Sequence, residues 1–284
     1  MSSEARHATR SPAVAGTFYS AAASVLTRDL RRLLAHAPAP PTAPTSPAKA
    51  IIAPHAGYVY SGPIAASVYA PLVTRRETIR RVVLLGPTHR VPVNGLALPS
   101  VSAFATPLGE VLLDQTSRED ILQLPQVVVS DAAHAYEHSL EVQLPFLQSA
   151  LADFSLVPLA VGRASAEQVA EVLERLWGGD ETLIVISSDL SHYLPYTTAC
   201  AIDQRTAHHI LALDAHLDHQ QACGATPING LLLAARRHGL QAQLVDLRNS
   251  GDTAGDKARV VGYGAFSFSP ESRNGQRNAQ QPIH

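Results

Sequence analysis

The sequence predicts an α/β sandwich with a mostly buried sheet, and three observations lead there. Short Val-, Ile- and Leu-rich runs alternate with amphipathic stretches along most of the chain. Four of those runs lack polar alternation, as strands covered on both faces do. The 284 residues, 46% hydrophobic and 16% charged, can bury a sizeable core as one large domain or two smaller ones.

The elements follow in order. Residues 1–20 lack the basic start and apolar core of a secretory signal. A first helix carries Leu26, Leu30, Leu33 and Leu34 on one face. Residues 36–49 interleave Pro38, Pro40, Pro41, Pro44 and Pro47 with Ala, Thr and Ser, giving an extended, non-helical linker. The four buried runs are residues 50–53, 81–85, 156–161 and 183–186. Between the last two, Ser165 and Gln168 make a capping box, Val169, Val172, Leu173 and Leu176 form a stripe, and Gly178-Gly179 stops the helix. Further helices are expected over residues 140–151, where Pro145 implies a late start or a kink, and over 196–213. Another spans 227–237, with Thr226 as N-cap and Pro227 at the first helical position. Strands near 243–247 and 259–268 close the fold.

Charge and motif content narrow the function. With 22 basic against 24 acidic residues the net charge is −2, so the chain has no nucleic-acid footprint. No run approaches the roughly 18 apolar residues that span a membrane. Two cysteines, Cys200 and Cys223, make no disulfide framework and point to the reducing cytoplasm. Phosphate-loop, GxGxxG, HExxH, GxSxG and CxxC motifs are absent, which removes support for those chemistries.

Three strand-like runs end alike. IIAPH ends at His55, VVLLGPTH at His89, and LIVISSDLSH at Asp189 and His192. Ligands in open α/β sheets collect at the carboxyl ends of strands, so three distant segments delivering such groups there point to shared site chemistry. Cys223 precedes a helix start, where a lowered thiol pKa would favour a metal-ligating thiolate; its bland alternative is a small buried hydrophobe. His138, in the segment His134 to Glu141, is either an acid-base group or part of a polar capping stretch. His208, His209, His216 and His219 read as surface. Asp252 and Asp256 lie in a loop whose composition favours an ordered turn over a metal site.

These residues carry a resemblance. RSPAVAGTFYS (10–20), IIAPHAGYVYSGPIAA (51–66), LLGPTHR (84–90), EHSLEVQLPFL (137–147), ISSDLSHY (186–193), CGATPI (223–228) and NSGDTAGDKARVVGYGA (249–265) resemble the Memo family. Its namesake mediates receptor-tyrosine-kinase-driven cell motility, and prokaryotic members are called AmmeMemoRadiSam system protein B. The family is similar in fold to class III extradiol dioxygenases, non-haem iron enzymes that open catechol rings. The resemblance implies a class III non-haem dioxygenase-like α/β fold, a single domain with a central mixed β-sheet flanked by helices, over residues 10–268. A disordered stretch (1–9) would precede it and a polar tail (269–284) would follow.

The resemblance also implies one metal ion per chain held by His55, His89 and Cys223. Asp189 and His192 would line the pocket, with His192 at the acid-base position. A thiolate replaces the carboxylate of the dioxygenases; being softer, it favours copper or zinc as well as iron(II). The function implied first is a redox-active metalloprotein or oxidoreductase of unread substrate. The alternatives are a binding module for a phosphorylated peptide or small ligand, with Arg90 as its cation, and an extradiol catechol dioxygenase. The prokaryotic name implies a radical-SAM protein and an AMMECR-like protein as partners.

Overall fold

The computed structural model describes residues 8–39 and 46–271. Residues 1–7, the middle of the proline-rich linker (40–45) and the tail from 272 lie outside the described residues. The chain begins with β1 (Thr9–Arg10), α1 (Ala23–Ala35), β2 (Ala50–Ala53), α2 (Tyr58–Tyr69) and β3 (Arg81–Pro87). Short strands β4 (Leu96–Leu98), β5 (Ala103–Thr106) and β6 (Gly109–Leu112) follow. Next come α3 (Gln115–Ile121), β7 (Val127–Val129), α4 (Asp131–Ala135), α5 (Leu144–Ala150) and β8 (Ser155–Val161). Then come α6 (Ala166–Arg175), β9 (Thr182–Ser187), β10 (His192–Leu194), α7 (Tyr196–Leu211) and α8 (Ala225–Arg237). β11 (Leu240–Asn249), α9 (Ser250–Thr253) and β12 (Val260–Pro270) complete the fold.

Nine strands form one mixed sheet in the order β10-β12-β2-β9-β3-β8-β4-β7, with β11 also on β12. The middle strands β2, β9, β3 and β8 are parallel, while β12 runs antiparallel to β2 and β4 antiparallel to β8. Because successive side chains point to opposite faces, each central strand feeds two cores. Ile51, Val82, Leu84 and Val185 pack with Leu26, Leu30, Ile64 and Phe146 on one side. Ile52, Val83, Leu85 and Ile184 pack with Val169, Leu173, Ile228 and Leu231 on the other. Both faces are apolar, which is why these runs show no alternation. A separate small sheet has the order β1-β5-β6, with β1 parallel to β5.

Several boundaries differ from the sequence reading. The capping box at Ser165 and Gln168 is present. Pro145 marks a late start: a 3-10 turn over Glu141–Gln143 comes first and α5 begins at Leu144. Gly224, not Thr226, is the N-cap of α8, and Ile228 N–H donates to its carbonyl. Proline has no N–H to lose anywhere in the first turn, so Pro227 marks the turn rather than its first residue. Thr9 pairs with Ala103 and Pro270 with Leu240. No expectation covered α2, because Pro63 sits inside it and reads as a breaker. Among the described residues no helix is long and apolar enough to cross a membrane.

A buried ion pair holds the N-terminal segment against the core. Arg10 Nη1 donates to Glu141 Oε2 at 2.7 Å, with the two side chains 6% and 0% exposed. Glu141 also accepts from the Ala13 and Val14 N–H groups and from the Tyr19 hydroxyl. The Arg10 guanidinium reaches the carbonyls of His134 and Glu137. Arg10→Ala should therefore lower stability by about 3–5 kcal/mol, the cost of an uncompensated buried charge. Urea unfolding checks this; a loss under about 1 kcal/mol, as for an exposed pair, would contradict the burial.

Candidate metal centre

Parallel pairing puts the carboxyl ends of β2, β3 and β9 on one edge of the sheet, where ligands gather in such folds. His55 follows β2, His89 follows β3, and Asp189 and His192 follow β9. The His55 main-chain N–H donates to Asp189 Oδ1 at 2.7 Å, lacing two strand ends together. His138 arrives from the loop after α4. The ring centres of His55, His89 and His138 stand 5.2, 5.4 and 4.6 Å apart in the three pairings. One ligand nitrogen from each lies within 4.8 Å of the others, so the three could hold a metal ion. Cys223 lies outside that trio, but its Sγ is 3.4 Å from His55 Nε2. Nitrogen and sulfur ligands at about 2.0–2.1 and 2.3 Å in tetrahedral geometry would sit about 3.5 Å apart.

Hydrogen bonding settles which ring nitrogens are free. The Ser187 hydroxyl donates to the Ser139 carbonyl at 2.6 Å. Gln143 Nε2 donates to the same hydroxyl and to the Pro54 carbonyl, while the Tyr69 hydroxyl donates to Gln143 Oε1. Carbonyls only accept, so the amide orientation is forced and the serine proton is already spoken for. His55 Nδ1, 2.9 Å from Ser187 Oγ, must therefore carry its hydrogen, leaving Nε2 as a lone pair that faces Cys223 Sγ at 3.4 Å. His89 Nδ1 donates to Glu137 Oε1 at 2.8 Å, and His192 Nδ1 donates to the Leu190 carbonyl at 2.8 Å. Each of these rings therefore turns its Nε2 away from its anchor. Metal-ligating histidines show this pattern, the outer nitrogen fixed and the inner one presented.

Charges in the site follow from burial and these bonds. Burial alone would raise the Glu137 carboxyl, but its bonds from the His89 ring and main chain and from Ser139 N–H hold it at about 2. Glu137 is thus a carboxylate, and His138 Nδ1 lies 3.4 Å from it. Burial, with the neighbouring imidazoles, pushes His55 well below its ordinary value. Burial likewise brings His138 down to about 4 and lifts Asp189 to about 6. The Cys223 thiol is pushed up to about 12 by burial and by Asp189. The sequence reading expected the helix N-terminus to lower it; desolvation wins instead, and Sγ donates to the Asp189 carbonyl at 3.6 Å.

A cavity of about 780 Å³ opens over the cluster. His55, His89, His138, Asp189 and His192 line it, so five of the six residues singled out from the sequence share one space. Cys223 reaches the cluster from an adjoining cavity that also touches His89 and His192. His209 and His216 pair with Asp214 near the surface, as expected. Asp252 caps the short α9 through Asn249, which fits the ordered-turn reading of that loop. Sequence reasoning missed Glu137, Ser187, Gln143 and the cavity-lining Arg259. Their only trace was adjacency: Glu137 beside His138, Ser187 at a strand end, and Arg259 at a strand start.

An α/β protein with a donor cluster that could hold a metal ion, set at the carboxyl edge of its parallel strands, is the class these features define. The chain belongs to the Memo-like family: the family model described as Memo-like protein matches residues 10–267. A MEMO1 family protein of Aquifex aeolicus is 39% identical over 272 residues, covering 91% of this chain and 98% of its own. Another, of Ignicoccus hospitalis, is 36% identical over 282 residues, covering 91% and 98%. The crystal structure of an uncharacterized protein from Escherichia coli K12 superposes with a TM-score of 0.50 at 14% identity. It covers 76% of this chain and 99% of that one, and it shows likeness of fold alone.

Two outcomes are expected. His55 and His138, with the core residue His134 held at about 4 by burial, have folded pKa values below the unfolded value of about 6.5. The unfolded chain therefore takes up protons first as pH falls. Their stability contribution is full above about pH 6.5 and declines towards about pH 4. The urea midpoint of the metal-free protein should drop across that window; a flat midpoint would refute the buried neutral imidazoles. Separately, Glu137→Gln keeps the shape but loses the charge that orients His89. Metal affinity should fall by about 10–100-fold, as read by competition with a chromogenic chelator.

Proposed function

We propose that the protein is a redox-active metalloprotein, an oxidoreductase of the non-haem dioxygenase-like kind, working in the cytoplasm on a small ligand not yet identified. Iron(II) or copper is the favoured metal, with zinc as the alternative. The observation that carries this reading is the convergence of His55, His89 and His138, whose ligand nitrogens lie within 4.8 Å of one another and which line one cavity. His55 and His89 are the proposed common ligands, with Cys223 as the third donor and His138 beside them. A metal there would supply Lewis acidity and, for iron or copper, electron transfer. His192, anchored through Nδ1, offers Nε2 for moving a proton, and Asp189 holds the His55 backbone in place. The radical-SAM and AMMECR-like proteins suggested by family resemblance are proposed as partners.

Anaerobic titration with iron(II), copper and zinc, with metal analysis, tests this. Wild type should bind one ion per chain, and His55→Ala and His89→Ala should lose it. Proton release identifies the third donor. At about pH 8 free imidazole is neutral, so a three-histidine site releases no proton. A Cys223 site must release about one, because the thiol starts protonated. Loss of that proton in Cys223→Ser, together with a loss of thiolate charge-transfer absorption, is expected. Wild type that binds no metal would remove the reading.

A second reading has support of its own. Arg90 lines the same cavity as the imidazoles, so the pocket could capture a phosphorylated peptide or small ligand without turnover. Pull-down with phosphotyrosine peptides, with Arg90→Ala as control, separates it: binding lost in the variant without oxygen uptake favours capture.

A further inference from the structure

Two cations at the rim of the cavity have no part in the metal chemistry. Arg90 follows His89 directly, and Arg259 immediately precedes β12; both are exposed and both line the cavity that His55, His89 and His138 floor. Neither is joined to an acidic group by an ion pair among the described residues. The Arg259 guanidinium carbon instead stands 5.2 Å over the ring of Tyr193. Tyr193 is held at φ 57°, in the left-handed region, at the register shift between His192 and Leu194 of β10. That conformation is strained for a non-glycine residue. The strain gains little core packing, because Tyr193 stays 62% exposed. What it does place is an aromatic face under a guanidinium at the mouth of the pocket.

The acids lining the cavity are Asp189, tied to the His55 main chain, and Asp256, whose Oδ1 accepts from Ala258 N–H. Phe18, Tyr60 and Tyr263 supply aromatic wall. A volume of about 780 Å³ is that of a small-molecule site. Arginine's planar fork matches carboxylate and phosphate oxygens two at a time.

We propose that the pocket takes a small organic anion, its carboxylate or phosphate held by Arg259 and Arg90 and its body lying against Tyr193. This rests on the proposed reading of the cavity as the working site and gives its ligand a chemical class. The acidic group would sit at the rim, leaving the rest of the molecule to reach the imidazole floor.

Ligand-observed NMR titration on the full chain, metal-free and zinc-loaded, tests it. The probes are benzoate, phenyl phosphate and the neutral benzamide. Both anions should bind at least tenfold tighter than benzamide, and their ratio tells which headgroup the rim prefers. Arg259→Gln should lose that preference and Arg259→Lys should recover part of it. Equal binding of benzamide, or an unchanged preference in Arg259→Gln, overturns the proposal. A phosphotyrosine peptide should bind no tighter than phenyl phosphate; one bound 100-fold tighter would overturn the small-ligand assignment. The metal-free arm keeps the two readings apart. A chain that prefers anions but takes no zinc would sink the metal centre alone, and one that takes zinc without preferring anions would sink this inference alone.

Discussion

A carboxylate buried in protein persists only where N–H groups replace the water it has lost, and Glu137 is supplied with them from two separate stretches of chain. Its oxygens accept from the main-chain and ring nitrogens of His89 and from the main-chain N–H groups of His138 and Ser139. The same bonds that keep the side chain ionised fix the loop after β3 against the loop after α4. Remove the charge and the imidazoles lose both orientation and relative position. The site therefore has a single hub, and that hub is not itself one of the proposed metal ligands.

The rest of the fold serves to make that hub permanent. Arg10 binds the carbonyls of His134 and Glu137 as well as the carboxylate of Glu141, so the segment carrying Glu137 and His138 is held from both its ends. On the opposite side of the cluster, Tyr69, Gln143 and Ser187 form a buried chain that ends at His55 Nδ1. A buried network of this kind is worth having only when every member is satisfied, and here each carbonyl and hydroxyl has a defined partner. The parallel sheet then sets the spacing, since β2, β3 and β9 are hydrogen-bonded neighbours.

How much of this was legible in the sequence follows from the range of each interaction. Strands β2, β3, β8 and β9 announced themselves because burial on both faces forces continuous apolar runs. His55, His89, Asp189 and His192 were legible because they end or follow such runs. The helix α2 was hidden by Pro63, whose lost hydrogen bond is outweighed by a face carrying buried Ile64, Ala65 and Val68. Glu137, Gln143 and Ser187 act across sequence separations of 48, 44 and 132 residues in their key bonds. Contacts at that distance leave no periodic mark. The thiol was misjudged for a related reason: proximity to a helix start is visible in the sequence, but the burial that outweighs it is not.

Charge balance explains why such a centre suits a cation. Without a metal, burial disfavours the charged forms of His55 and His138 and keeps the Cys223 thiol protonated. A bare cation brought into that space would carry a large desolvation penalty. Two acids already stand against the cluster, Glu137 behind His89 and Asp189 behind His55, and neither needs to move to offset the incoming charge. In the proposed site the thiol adds a third negative charge only when a metal displaces its proton, so anionic character appears when the cation does. The same groups, left without a cation, would be two carboxylates and a thiolate forced together, and raising the thiol to about 12 is how the fold avoids that repulsion.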